Sequence, residues 1–565
     1  MKEVQVWPSR AQLRPGEPLA VVIEADAPGE LGIRVEDAAA TVAEASVVAT
    51  TAGRVRTIVS LPPGRDRAGY AISVLDAAGA VCATSAIDVA PHWSVAPRYG
   101  ALSDFGPDEP TSESARRADE LLRFHVNVVQ FYDWMASHHT FRAPTDEFVD
   151  PLGRRLSHVV ARRKIELAHE RGMAAIAYGA LYGAEAEFSL ERPDWLLHDG
   201  RRQPLALADI FYLQDFSPGS PWRAWILDQY RDAQASFGFD GIHIDQYGYP
   251  KHALSRATGT WRDIDVAAEF PGFIDEAARQ IRATGRESGA IFNCLNAWPL
   301  EGLRDVTTDA ATYIEVWEPH TRYRDLYELI RRARVLRPDK AVILAAYLLP
   351  FHPERERSHA ALAAFRLASA AIGAAGGFHL LAVEGAAFLA EAYYPRYGRL
   401  DADELVVARR YADFAVRNTT RLHDLGATDI AWTHVGPTND AITLAAPGLD
   451  AYGAGAVAGS LWVTGREAAD LTVLQLVNLR GVLDAWNAEQ PALPPPVERL
   501  EIKVRITGGV DGAWWDTPDD EVGTARPLPF EIIETAAGRF LVLTVPRVEI
   551  WSSVWWRVAG RGGEL

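Results

Sequence analysis

Asp245 and Glu315 are the two residues whose type and setting best suit chemistry. Asp245 closes the stretch Phe239-Asp240-Gly241-Ile242-His243-Ile244-Asp245-Gln246, which reads as a short buried strand. Gly238 and Gly241 read as the residues of a tight turn feeding it. Ile242 and Ile244 share one face of that strand, and His243 and Asp245 share the other. Glu315 stands in a second such run, Tyr313-Ile314-Glu315-Val316-Trp317. Carboxylates at the C-terminal ends of parallel strands sit where a (β/α)8 barrel carries its chemistry. A pair facing across the barrel mouth can cleave a glycosidic bond: one stays ionised at the anomeric carbon, and the other donates a proton to the leaving oxygen. Asp has the lower intrinsic pKa and suits the first role. Glu315, flanked by Tyr313 and Trp317, suits the second, because apolar neighbours raise a carboxyl pKa. The plain alternatives are that Asp245 caps the next helix or pairs with an Arg, and that Glu315 pairs with a rim Arg.

Other strand ends add to the same rim. The second supplies Tyr132, Asp133 and Trp134, followed by His138 and His139; the third supplies Tyr178 and Tyr182. Gln246 follows Asp245. Asn293 and Asn296, Trp317, Tyr347 and Glu384 come from the later strands. Carboxylates, amides and aromatic rings with almost no lysine suit a neutral, polyhydroxylated ligand. Trp134, Tyr178, Tyr182 and Trp317 are candidate stacking platforms for sugar rings. No metal site is expected: His138 and His139 are adjacent and would point to opposite faces of a strand. They read as loop histidines that contact a ligand. Neither a Gly-x-Ser-x-Gly elbow nor a phosphate-binding glycine loop occurs, and no cofactor is expected.

The elements that must position these residues alternate strand and helix from Arg98 onward. Eight strands are predicted: Arg98–Phe105, Asn127–Trp134, Met173–Leu181, Gly241–Asp245, Ala290–Asn296, Thr312–Trp317, Ala341–Tyr347 and Gly377–Leu381. Helices fall between them at Ser157–Arg171, Ala267–Arg286, Tyr323–Leu336 and His359–Ala374, and Asp401–Leu422 closes the series. Eight such units imply a closed parallel barrel. Before it, short alternating runs broken by Pro15-Gly16, Pro28-Gly29 and Pro62-Pro63-Gly64 imply a β-sandwich. After about residue 425 the pattern returns to strands. Three domains are expected, over residues 1–95, 96–424 and 425–565.

Composition narrows the partners. The chain has 565 residues, a net charge of −18 and 17 Trp. The acidic balance argues against nucleic acid or an anionic membrane as partner. Cys82 and Cys294 give no disulfide framework. No run of about 18 apolar residues suggests a membrane helix. The start lacks a signal-like basic and apolar sequence, so the expectation is a cytoplasmic protein, or a secreted one whose signal is absent from this sequence. Oligomeric state is left open.

The strand-four and strand-six runs, with Gln130-Phe131-Tyr132-Asp133-Trp134-Met135 and Tyr178–Tyr182, resemble glycoside hydrolase family 66. That family holds endo-dextranases and cycloisomaltooligosaccharide glucanotransferases. The resemblance implies a multidomain α/β plus all-β fold, a central (β/α)8 barrel between an N-terminal immunoglobulin-like β-sandwich and a C-terminal Greek-key β-domain. It implies Asp245 as nucleophile and Glu315 as acid/base, about 5–5.5 Å apart, in retaining cleavage of α-1,6-glucan through a covalent glucosyl-enzyme. Dextran or isomalto-oligosaccharide is then the partner. One departure is the run after strand eight, where Glu384 stands in place of the family's acidic residue. Ring-forming members carry an inserted carbohydrate-binding module of about 100 residues, and no stretch between the predicted barrel strands is that long. Mainly hydrolytic action with linear products is therefore expected. The alternatives are a glucanotransferase, a retaining enzyme for another α-glycan or an α-galactoside, and a catalytically silent glycan-binding protein.

Overall fold

A computed structural model describes residues 4–207, 210–285, 289–436, 439–468 and 470–559. Its centre is an eleven-stranded curled sheet. Eight parallel segments follow one another in chain order: Tyr99–Leu102, Val128–Phe131, Ala174–Ala180, Gly241–Asp245, Gly289–Asn293, Asp309–Glu315, Val342–Ala345 and Phe378–Leu380. Each lies within one or a few residues of its predicted range. The eighth is interrupted at Leu381. Its first part pairs with the seventh strand, and its continuation, Ala382–Val383, pairs with the first through Val383 and Ala101. The ladder therefore returns to its starting strand, as a (β/α)8 barrel requires. Two antiparallel strands, Ala387–Leu389 and Tyr397–Arg399, extend it as a flap.

Local sequence explains the helix ends. Pro221–Phe237 begins with Ser220 accepting from Trp222 N and with Pro at the first position, and ends at Gly238 in the left-handed region (φ 89°). Gly238 is thus a helix cap. Gly241 serves close approach instead of a turn: a Cβ there would lie 2.1 Å from the Gly289 carbonyl oxygen. Helices His158–Glu170, Tyr323–Leu336 and His359–Ala375 match expectation. The helix between strands four and five spans Val266–Arg282; its predicted end, Arg286, lies outside the described residues. The predicted helix Asp401–Leu422 is two helices, Ala402–Arg417 and Thr419–His423, broken at Asn418, whose side chain reaches the Phe414 carbonyl and Asp516.

Residues before Pro91 form a three-stranded and a four-stranded antiparallel sheet around one apolar core, with Val21, Ile33, Ile72 and Ile87 at its centre. The C-terminal strands form two more sheets around a core that includes Leu474, Ile502, Leu543 and Val554. Buried ion pairs tie these layers to the central sheet: Arg98 to Asp88, and Arg417 to Asp516 through two contacts at 2.8 and 2.9 Å.

Candidate functional site

Strands four to seven are adjacent in the sheet, and their C-terminal ends build the site. Asp245 ends strand four, Asn293 ends strand five, Glu315 ends strand six, and Tyr347 follows strand seven. The two N–H bonds of Asn293 Nδ2 are divided between the carboxylates, 2.7 Å to Asp245 Oδ1 and 2.8 Å to Glu315 Oε2. The reverse amide orientation would set a carbonyl oxygen against two carboxylates, so the hydrogen-bond network fixes the assignment. Because both oxygens hang on one nitrogen, those two oxygens lie no more than about 5.5 Å apart. Tyr178 OH donates to the other Asp245 oxygen at 2.8 Å, and Tyr347 OH donates to Glu315 Oε1 at 2.8 Å.

Burial and proximity separate the two carboxyls in acidity. Burial, then the charge of Asp245, pushes Glu315 up to about 7, against the pull of Asn293 and Tyr347. Burial also raises Asp245, but Asn293, Tyr178 and the Gln246 backbone stabilise its ionised form. Two carboxylates this close cannot both ionise freely. Glu315 is the one that holds the shared proton near neutral pH.

A cleft of about 420 Å³ opens above the pair. Of the candidate ligand residues, Tyr132, Asp133, His138, Tyr178, Gln246, Asn293, Trp317 and Tyr347 line it. Asp133 adopts a left-handed backbone (φ 47°) at the end of strand two. Its carboxyl is raised by burial despite His138 and Arg154 nearby, and among the described residues its Oδ1 has no hydrogen-bond partner. For His138, burial favours the neutral ring, but bonding to Glu185 and the charge of Asp133 outweigh it and raise the pKa. Gln246 sits at the wall as a brace: its amide donates to the Asn293 carbonyl at 3.0 Å and its oxygen accepts from Gly248 N.

Five predicted ligand residues stand elsewhere. Trp134 is fully buried between Phe141, Phe237 and Phe239, and its indole donates to the Tyr178 carbonyl. The strand ends at Phe131, and Asp133's turn sends Trp134 under the sheet rather than into the cleft. Tyr182 is also fully buried; its hydroxyl donates to the Tyr249 carbonyl and accepts from Tyr247 N, fixing the turn after Asp245. A Cβ at Gly183 beside it would lie 2.1 Å from the Tyr247 hydroxyl and would have to displace that ring. His139 lies behind His138, stacked on Phe188 and bonded to Glu185. Asn296 braces the loop after strand six without lining the cleft. Glu384 is wholly buried and accepts from the Ser103 and Asp104 backbone at 2.8 and 2.7 Å, and from Arg117 and Lys164. It clasps strand eight to strand one where the sheet closes.

Sequence reasoning missed Tyr394, which stacks on Tyr132 with ring centroids 4.4 Å apart and lies within 3.4 Å of the hydroxyls of both Tyr313 and Tyr347. It comes from the loop that joins the two flap strands. The available signal was the Tyr393-Tyr394 pair in a loop on the catalytic side. His243 also reaches the cleft, packed edge-on to Tyr313 and driven down to about 3 by burial, so it is neutral.

A family model described as glycosyl hydrolase family 66 matches residues 14–555. Two cycloisomaltooligosaccharide glucanotransferases of Niallia circulans are 31% and 29% identical over 302 and 308 residues. Those matches take in 50% and 51% of this chain but 31% of each relative, so the matched region spans about a third of their length. The structure of a Paenibacillus sp. cycloisomaltooligosaccharide glucanotransferase, complexed with cycloisomaltoheptaose, superposes with a TM-score of 0.87 at 19% identity, covering 98% of this chain and 100% of that one. With the match running through almost the whole chain, the protein belongs to glycosyl hydrolase family 66 and is a glycosidase-type enzyme.

Proposed function

We propose that this enzyme acts on α-1,6-glucan or isomalto-oligosaccharides by a retaining mechanism and passes the glucosyl group chiefly to another sugar. Asp245 attacks the anomeric carbon while Glu315 gives its proton to the glycosidic oxygen, leaving a glucosyl ester on Asp245. Glu315, now ionised, takes a proton from the incoming hydroxyl, and that oxygen displaces Asp245. The observation that carries this reading is the single Asn293 amide holding both carboxylates within about 5.5 Å. The relatives' names supply the sugar and the preference for transfer. Tyrosines around the cleft and the absence of lysine from its lining among the described residues suit a neutral glucan.

Hydrolysis is the second reading, and one observation favours it. The long segment after strand three is folded back as small sheets, Gly183–Glu185 with Phe211–Leu213 and Leu197–His198 with His252–Ser255, and presents no separate module among the described residues. Without a device that holds the far glucan end nearby, water competes well for the glucosyl ester. We place the catalytic unit over residues 96–424, with an immunoglobulin-like unit over 1–95 and a Greek-key unit over 425–565. Chromatography of an isomalto-oligosaccharide digest, with NMR of the first-formed anomer, tests the proposal. The α-anomer and products longer than the substrate are expected. A β-anomer product refutes retention, and glucose or shorter oligosaccharides alone refute transfer.

A further inference from the structure

Trp317 is a cleft residue that is open to solvent. It is 45% exposed, whereas Val316 beside it is buried, as are Tyr178 and Tyr394 on the Asp245 side. It lies two residues beyond Glu315, and its side chain reaches the Glu315 carboxyl, helping to hold it ionised. The loop that carries it is pinned. Asn296, in the left-handed conformation (φ 51°, ψ 37°), accepts from Trp317 N at 2.7 Å and donates to the Glu318 carbonyl at 2.8 Å. From the other side, Trp486 donates its indole N–H to the His320 carbonyl at 2.9 Å and its backbone N–H to the Thr321 carbonyl at 3.1 Å. An exposed indole held this firmly is preorganised for something that is not part of the chain.

The cleft has two unlike ends. Around Asp245 lie Tyr178, His138, Asp133, Tyr132 and Tyr394, a closed bay that suits the sugar being attacked. Beyond Glu315 lies the open side with Trp317. A general acid bonds to the leaving oxygen, and that oxygen belongs to the acceptor-side sugar. We propose that Trp317 is the stacking platform for the first acceptor-side sugar and that Asn296 is its positioning residue. Together they set how often the glucosyl ester on Asp245 goes to a sugar hydroxyl rather than to water. This rests on the retaining reading above and adds to it the partition step.

The test uses α-isomaltosyl fluoride as donor, because its leaving group fills no acceptor subsite, and isomaltotriose as acceptor. Fluoride release counts isomaltosyl-enzyme formed, and chromatography counts transfer product. Trp317→Ala should lower the ratio of transfer product to fluoride about five- to tenfold and raise the acceptor concentration for half-maximal transfer by a similar factor, the order of one aromatic contact. Trp317→Phe keeps a ring face without the N–H and should keep most of the ratio. Asn296→Ala should shift the ratio in the same direction as Trp317→Ala although the indole remains, and Asn296→Asp, which can still accept from Trp317 N, should recover part of it. An unchanged ratio in Trp317→Ala overturns the proposal. If the wild type releases fluoride but makes no acceptor-dependent product, the transfer reading fails; the platform is then read from KM for isomaltotriose hydrolysis, and an unchanged KM in Trp317→Ala overturns it too. No fluoride release by the wild type overturns both.

Discussion

Tyr347→Phe isolates one interaction on the general acid. In the wild type the phenol donates to Glu315 Oε1 at 2.8 Å inside a buried site. A hydrogen bond to a charged acceptor is worth about 1.5–3 kcal/mol, and one to a neutral group about 0.5–1.5 kcal/mol. The bond therefore favours ionised over protonated Glu315 by about 1 kcal/mol, and at 1.36 kcal/mol per pKa unit its loss raises the acid's pKa by roughly 0.7 units. Glu315 sits at about 7 in the intact protein. A general acid works in its protonated form, so kcat/KM falls as pH rises through that value. The substitution should carry this alkaline limb upward by about 0.5–1 unit on isomalto-oligosaccharides. It should have a smaller effect on aryl glucosides, whose leaving group barely needs a proton. The assay is the pH profile of kcat/KM on both substrates. A limb that stays in place, or moves down, refutes the assignment of Tyr347 as a partner of the ionised carboxyl and weakens Glu315 as the acid.

Asp245→Asn should lose several orders of magnitude in kcat with the circular-dichroism spectrum intact, and azide should restore turnover in Asp245→Gly by forming the β-glucosyl azide; turnover near the wild-type level in Asp245→Asn would remove Asp245 from the mechanism. Glu315→Gln should be nearly inactive on unactivated substrates yet more stable than the wild type at alkaline pH. The sign follows from a folded pKa raised above the unfolded value of about 4.5: the folded state is progressively destabilised as pH climbs from about 4.5 to about 7, by an amount on the order of 3 kcal/mol, and Gln cannot ionise. Denaturant midpoints at pH 5 and pH 8 check it, and an equal effect at both would count against the raised carboxyl. Trp134→Ala should cost about 3–5 kcal/mol of stability, as for other buried aromatics, while leaving KM of the folded fraction near the wild-type value; a large rise in KM with unchanged stability would return Trp134 to the cleft.

How far the sequence could be read depended on the kind of signal. Period-two and period-3.6 patterns located the eight parallel segments and the flanking helices because each buries a face of defined spacing. The chain break at Asn418 was invisible, because the residues on both sides keep a helical pattern and the break depends on Asp516, a residue of the C-terminal layer. Among site residues, those that end strands were legible: strand direction fixes which way they point. Among those a few residues later the outcome is split: Asp133, Trp317 and Tyr347 reach the cleft, and two aromatics do not. Trp134 and Tyr182 each follow a strand end by a few residues and look like cleft aromatics, yet a left-handed turn at Asp133 and the Tyr247–Tyr249 turn fold both inward. Glu384 misled for another reason. An acidic residue after strand eight has the same sequence signature whether it meets a ligand or neutralises Arg117 and Lys164 behind the sheet. Tyr394 lies in a loop without periodicity, where only three-dimensional closure brings it to Tyr132.

The order of strands explains why the site is a chain of partners rather than a pair. Asp245, Asn293, Glu315 and Tyr347 come from four consecutive parallel strands, and neighbouring strands lie about 4.8 Å apart. Residues on strands four and six are therefore separated by one strand, too far for a direct hydrogen bond and too close for two uncompensated charges. A side chain on strand five is the only protein group that lies between them by construction. An Asn there meets both needs, since its two N–H donors point at two acceptors and it adds no charge. Replacing it by Asp would add a third carboxyl and push Glu315 higher; replacing it by Leu would leave two buried carboxyls each short of a donor. Tyr347 on strand seven repeats the logic on the outer side of Glu315, and Tyr178 on strand three repeats it on the outer side of Asp245. Each carboxyl is thus held between two neighbouring strands, with one oxygen on the shared amide and the other on a tyrosine. Fixed positions, and a separation of the two amide-bound oxygens no larger than about 5.5 Å, follow from that one alternation of acid and donor along the sheet.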